Sequence, residues 1–219
     1  MKPDWRLDRA THADVEAAAA CAAAAFAQDR LMQFFFASSP RGARAASERF
    51  FSILMRARLA LGMPALVARE GTSVVGIAMG YDTAPGDWRE DHAREWSEFE
   101  SEVPGVVERF AAYESAADRF RPGSPHYYLG VLAVLPRLKG QGLGKALLQA
   151  FCALSATDAR SSGVYLETGS AESFAFYLRN GFFLRGLEDL GGTPLWCVFA
   201  PHGPKGQLPG PAAPLVMGA

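Results

Sequence analysis

The chain has 219 residues, 49% of them hydrophobic and 21% charged, which is the length and apolar content of one globular domain with a buried core. A net charge of -1 and a pI near 6.4 remove the electrostatic case for nucleic acid or an anionic membrane surface as a partner. Cys21, Cys152 and Cys197 are widely spaced and odd in number, so neither a zinc site nor a disulfide framework is expected, no metal is expected, and a reducing cytoplasm fits best.

The opening MKPDWRLDRA has no apolar run of signal-peptide length, and the alanines from Ala17 to Ala25 are too weakly hydrophobic to span a bilayer, so a soluble chain with no membrane partner is expected. WRLDRAT alternates apolar and polar residues as a strand does. Thr11 then precedes Asp14 by three positions, a capping-box-like start for an alanine-rich helix through Phe26. Met32 and Phe34 to Phe36 fall in the connection that follows. Phe50, Phe51, Leu54, Arg58 and Leu61 recur at near-helical spacing and stop at Gly62 and Pro64, which predicts a second amphipathic helix. PALVAREGTSVVGIAMGYD holds two apolar runs split by Glu70, Gly71 and Thr72, the mark of an antiparallel hairpin.

Between Pro85 and Pro125 the composition turns charged and aromatic, with a break at Pro104 and Gly105, and an inserted pair of helices is expected at about 85–122. Trp88, Trp96, Phe99, Val107, Phe110 and Tyr113 form either a packing face or a substrate lid there, and the two roles are compatible. The next stretch, His126 to Phe151, reads as strand, glycine-rich turn and helix. After it come a short buried strand VYLET, a compact helix closed by Asn180 and Gly181, and a hairpin of FFLRGLEDL and PLWCVFA. One domain over 1–200 is expected, with 201–219, rich in proline and glycine, as a flexible tail.

Gly140, Gly142 and Gly144 stand at alternate positions ahead of a helix, so backbone N–H groups can converge on an anion at the positive end of the helix dipole. A dinucleotide fingerprint fails because Gly144 comes one residue early and Lys145 takes the third glycine's place; a triphosphate loop fails at Lys139 and Ala146. A turn that only tightens strand against helix does not require three glycines flanked by two lysines.

Leu132, Val134, Pro136, Gly140, Gly142, Leu143, Gly144, Leu147 and Leu148 together resemble the signature L-x-V-x-P-x-x-[QR]-G-x-G-[IL]-G-x-x-L-L of the GNAT superfamily of acyl-CoA-dependent N-acyltransferases, with Lys139 in place of the usual Gln or Arg. The helix FAFYLRNGF resembles a second mark of that family, with Tyr177 four residues before Gly181 and Phe182 next. The resemblance implies an α/β fold, a mixed twisted sheet of about seven strands flanked by helices, and transfer of an acetyl group from acetyl-CoA, as cosubstrate, to a primary amine of a small molecule. It also implies that Leu132, Ala133 and Val134 bind the pantetheine arm and that Lys139, Gly140, Gln141, Gly142, Leu143, Gly144 and Lys145 hold the pyrophosphate. Ser173, or Ser170, stands where members often place a cofactor-contacting Asn.

By the same resemblance Tyr177 is the general acid toward the thiolate, with a core aromatic packed on Phe174 and Phe182 as the alternative. Glu167 in VYLET is the candidate base, alongside His126, Tyr128, Glu98, Glu102, Asp91 or a water chain. Acceptor selectivity is expected in the insertion. The other readings are a protein lysine or N-terminal acetyltransferase, a longer-chain acyltransferase and a non-catalytic acyl-CoA sensor; a second copy of the chain is admitted as a further partner.

Overall fold

The period-two segments become seven strands in the computed structural model, which describes residues 5–202. These are β1 (Arg6–Arg9), β2 (Ala65–Glu70), β3 (Ser73–Tyr81), β4 (Tyr127–Val134), β5 (Gly163–Thr168), β6 (Phe183–Asp189) and β7 (Pro194–Pro201). They form one sheet in the order β1-β2-β3-β4-β5-β7-β6, antiparallel throughout except where β4 meets β5. The expected tail lies outside the described residues apart from Pro201, which ends β7, and His202, whose amide bonds to Ser162 O at 2.8 Å.

Seven α-helices cover the two faces. On one lie α1 (Val15–Ala25), α2 (Arg30–Phe36), α3 (Ala43–Ala60), α4 (Glu90–Glu102) and α5 (Val106–Asp118); on the other lie α6 (Leu143–Thr157) and α7 (Ala171–Arg179). Strand alternation divides the core accordingly. Val67 of β2 points into the first cluster, while Leu66 and Ala68 point into the second. The alanines of α1 let it lie close on the sheet, and Ala18, Ala19, Ala22 and Ala23 are almost fully buried. Its entry is the capping box expected at Thr11, whose amide and hydroxyl both donate to Asp14 Oδ2, at 2.8 and 2.9 Å.

The stretch expected as a connection around Met32 and Phe34–Phe36 is helical. Asp29 supplies the cap the sequence reading missed: its Oδ1 accepts from the amides of Leu31 and Met32 at 2.9 and 3.1 Å. Seven residues suffice because Leu31, Met32, Phe35 and Phe36 are all buried, so packing supplies what length does not.

The insertion is a helix pair, α4 and α5, and it is part of the core. Phe99 and Val106 are at most 1% exposed. Phe36 meets Phe50, Phe99 and Phe110 at ring separations of 5.3, 5.8 and 6.1 Å, and Trp96 stacks on Phe110 at 5.2 Å. Each such pair adds roughly 0.5–1.5 kcal/mol beyond its buried area. Val107 does not belong to this face; it is 52% exposed.

What positions a site is the parting of β4 from β5. The two pair only at Tyr127↔Val164 and Tyr128↔Tyr165, and from Leu129 onward β4 has no partner on that side. The pairing of β3 with β4 shifts at the same level: Met79 faces Val131 and Gly80 faces Leu129, so Gly130 is the extra residue of a β-bulge. Gly80 is obligatory opposite it, since a Cβ there would stand 1.7 Å from Tyr128 O. The bulge bends β4 out of register with β5 and opens a cleft in the middle of the sheet.

Candidate active site

At the far end of β4 a one-turn 3-10 helix, Pro136–Leu138, leads to Gly140 and Gly142 at φ of +78° and +85°, backbone that residues with a Cβ avoid. Gly142 is the N-cap of α6. The amides of Gly140, Gly142, Leu143, Gly144 and Lys145 have no acceptor among the described residues, whereas that of Ala146 bonds to Gly142 O at 3.0 Å. Free donors at the positive end of a 15-residue helix make an anion cradle. A Cβ at Gly140 or Gly142 would meet nothing within 4 Å, so the space in front of the cradle is open.

A cavity of about 790 Å³ runs from this cradle along Leu132, Ala133 and Val134 to Ser173 and Tyr177. A second, of about 920 Å³, lies beyond it between the sheet and helices α2 to α5. Leu132, Gly169, Ser173 and Tyr177 line both, so Tyr177 stands where the two meet. Tyr177 is 7% exposed and its hydroxyl makes no hydrogen bond to a described residue. Burial, with the Asp29 carboxylate nearby, pushes its pKa well up, so the phenol stays protonated at neutral pH. Its ring packs on Phe176 and Phe182 at 5.3 and 5.4 Å; Phe174 instead stacks on Trp196 at 5.5 Å.

The second cavity holds a carboxylate network. Glu167, near the end of β5, accepts a hydrogen bond from the Tyr113 hydroxyl at 2.9 Å, and that hydroxyl lies 3.2 Å from the Tyr128 hydroxyl. Glu167 Oε1 is buried with no hydrogen-bond partner among the described residues. Burial raises the Glu167 pKa, while the Tyr113 hydroxyl and the Arg121 charge work against that rise. Glu167 lines the cavity, and its Oε1 keeps an acceptor capacity that no described donor uses.

The family comparison follows this geometry. Residues 99–183 match the model of the acetyltransferase (GNAT) domain. Over these residues the chain is similar to a GNAT acetyltransferase domain. Among solved structures, a histone acetyltransferase HPA2-related acetyltransferase from Corynebacterium glutamicum is 28% identical with a TM-score of 0.64, over 97% of this chain and 99% of that one. PaiA N-acetyltransferase from Thermoplasma acidophilum, solved with coenzyme A, is 14% identical with a TM-score of 0.53, over 90% and 99% of the two chains. The C-terminal condensation domain of Ebony, solved with beta-alanyl-dopamine, is 8% identical with a TM-score of 0.64, over 90% and 98%. No protein of curated function matches in sequence. The seven-stranded mixed sheet is the fold of the GNAT acetyltransferases.

Within this fold the residues singled out in the sequence separate by position. Leu132, Ala133, Val134, Lys139, Gly140, Gly142, Gly144, Lys145, Ser173 and Tyr177 line the first cavity. Leu143 turns its side chain into the core and offers only its backbone there, while Gln141 bonds its main-chain N–H to Leu138 O at 3.3 Å and its side-chain amide to Arg137 O at 3.1 Å, and neither residue lines the cavity. Of the candidate bases, Asp91 and Glu98 are exposed and Glu102 is bound by Arg49, and none of the three lines either cavity. His126 does line the second cavity, its Nδ1 2.7 Å from Ser124 O and its pKa lowered by burial. Tyr127 pairs with Val164, so His126 lies four residues back along β5 from Glu167, roughly 13 Å at ~3.3 Å per residue. The sequence reading gave no chemical role to Arg58, Arg121, Tyr113 or Asp29, all of which face a cavity. They come from four separate helical or loop segments, and no local pattern joins them.

No described helix is long and apolar enough to cross a membrane. Among the described residues no group of three His, Cys, Asp or Glu side chains is arranged to hold a metal.

Proposed function

We propose that the protein is an N-acetyltransferase that moves an acetyl group from acetyl-CoA to the primary amine of a small molecule. The observation that carries the reading is Tyr177, an unbonded phenol standing where the cavity from the anion cradle meets the cavity walled by Glu167.

The first cavity fits the donor. A pyrophosphate needs convergent donors, and the five unpaired amides from Gly140 to Lys145 supply them, with Lys139 and Lys145 exposed beside. The pantetheine amides need main-chain partners on burial, and the side of β4 that β5 leaves bare offers a strand edge of the right kind. When bound, the thioester supplies the acyl group. The second cavity, about 920 Å³, has the capacity of a small-molecule site.

In the transfer the amine nitrogen bonds to the carbonyl carbon, the carbon–sulfur bond breaks, and the bonding pair leaves on sulfur. The Glu167 carboxylate accepts the proton the amine must lose. Tyr177 donates a hydrogen bond to the departing sulfur. Because its pKa is raised far above that of a thiol, Tyr177 keeps its proton and steadies the thiolate rather than neutralising it outright. That refines the general-acid role expected for it.

The test is release of free thiol from acetyl-CoA across a panel of small primary amines, with the acetylated product identified by mass spectrometry. Turnover on small amines supports the reading. Acetylation confined to peptide lysines or N-termini would replace it with protein acetylation, and coenzyme A binding without turnover on any acceptor would leave an acyl-CoA sensor.

A further inference from the structure

We infer that the acceptor amine also bears a carboxylate and that Arg58 binds it. The inference rests on the small-molecule N-acetyltransferase reading and names the class of its acceptor: an amino acid or comparable amino-carboxylate with an apolar body.

Arg58 lies near the end of α3, is 3% exposed and lines the second cavity. A guanidinium carries five N–H donors. Here Nη1 donates to Leu54 O at 3.3 Å, the guanidinium carbon sits 4.6 Å from the centre of the Tyr81 ring, and Nε is buried with no partner. No carboxylate among the described residues pairs with it. Two residues earlier on the same helix, Arg56 points the other way and is bound by Glu16 and Glu95 at 3.1 and 2.5 Å. A cation taken out of water without a counter-charge is costly unless a ligand completes it.

The bulge in β4 is what admits this side chain to the cavity. A Cβ on Gly130 would stand 3.0 Å from Arg58 Nη2 and 3.0 Å from Tyr128 Cε1, so glycine leaves the guanidinium room beside that ring edge. The hydroxyl of the same tyrosine leads through Tyr113 to Glu167. Tyr128 thus stands between Arg58 and the Tyr113–Glu167 pair, and all four line the one cavity. The fork geometry of a guanidinium suits a carboxylate held by two N–H bonds. Trp88, Trp96 and Phe110 on the same cavity provide for an apolar or aromatic body. Arg121, the other arginine on this wall, is already paired with Asp118 at 3.1 Å.

The test uses matched acceptors differing only in the carboxylate, phenylalanine against phenethylamine and tryptophan against tryptamine, with kcat/KM measured for each. Wild type should favour the carboxylate member at least tenfold, the ratio should fall toward one in Arg58→Met, and Arg58→Lys should lie between. A wild-type ratio at or below one, or a ratio unchanged in Arg58→Met, overturns the inference and leaves the N-acetyltransferase reading standing. A binding arm covers loss of folding in Arg58→Met: calorimetric titration of 3-phenylpropanoate into the protein loaded with coenzyme A should show saturable binding that Arg58→Lys weakens. No binding overturns the inference. Binding without acetylation of any amine supports the Arg58 site while overturning the transferase reading.

Discussion

In the proposed transfer Tyr177 and Glu167 do opposite things with their protons, and burial favours the first while opposing the ionisation of the second. For Tyr177, burial keeps the phenol neutral as a hydrogen-bond donor. Tyr177→Phe keeps the ring that packs on Phe182 and removes only the hydroxyl, so kcat should fall about 10- to 100-fold with coenzyme A affinity nearly unchanged. Equal turnover in the two proteins would end the donor role. Glu167 must be ionised to take a proton, so kcat/KM should rise with pH through a limb lying above the ordinary glutamate value of 4.5. Tyr113→Phe withdraws a hydrogen bond that favours the carboxylate and should move that limb to higher pH; Glu167→Gln should abolish it. The sign for stability runs the other way. A carboxyl whose pKa is raised on folding holds its proton more tightly when folded, so it costs stability above its unfolded pKa and the cost disappears as pH falls below that value. Glu167→Gln should therefore raise the melting temperature at pH 7 while lowering activity, and a lower melting temperature there would count against the unrelieved burial of Glu167.

At the scale of elements, a bulge and a turn shape the candidate site, and glycine serves each differently. Gly80 and Gly130 let β4 bulge and part from β5, because at one a Cβ would strike the Tyr128 carbonyl and at the other it would take up the room that Arg58 needs. Gly140 and Gly142 hold positive φ so that amides converge ahead of α6. Gly142→Val forces a branched residue into that conformation at a cost of roughly 1–3 kcal/mol, which a domain of ordinary stability of about 5–15 kcal/mol survives. The variant should melt cooperatively a few degrees lower and lose the gain in melting temperature that saturating coenzyme A gives wild type, about 2.7 kcal/mol at a hundredfold excess over Kd. A retained ligand shift would refute the cradle. Gly144 is different: a Cβ there would meet Val134 Cγ2 at an ordinary 3.7 Å, so Gly144→Ala should leave the fold intact.

Over the whole molecule, the insertion between β3 and β4 is both scaffold and wall. Phe99, Val103, Val106 and Phe110 belong to the same apolar cluster as α1, α2 and α3, while Trp88, Trp96, Tyr113 and Glu114 face the second cavity. Deleting 87–120 should therefore yield aggregated or unfolded protein rather than a domain with altered acceptor choice. A soluble, cooperatively melting deletion product would show that the pair is a lid laid over a complete core. Acceptor selectivity is better probed by substitutions at the cavity face, where the packing face is left alone.

How much of this could be read from residues alone follows the range of the interactions. Strands, most helices, the glycine cradle and the Tyr177 helix were legible because their determinants are local: alternation, spacing, caps and positive-φ glycines within a few positions. Helix α2 escaped although its cap Asp29 is local, because seven residues carry too little periodicity and the buried Phe35 and Phe36 declare themselves only against α3 and the insertion. A splayed edge on β4 was implied by the family resemblance alone, and the bulge that produces it was not legible in the residues, since a bulge is a mismatch between strands and has no meaning in one of them. The sequence by itself therefore determined the glycine loop, where a single contiguous segment turns its own backbone N–H groups toward one open space. Only the tertiary structure decided the second cavity, because Arg58, Tyr113, Tyr128 and Glu167 lie on α3, α5, β4 and β5 and come to share one wall only when those four elements close around it.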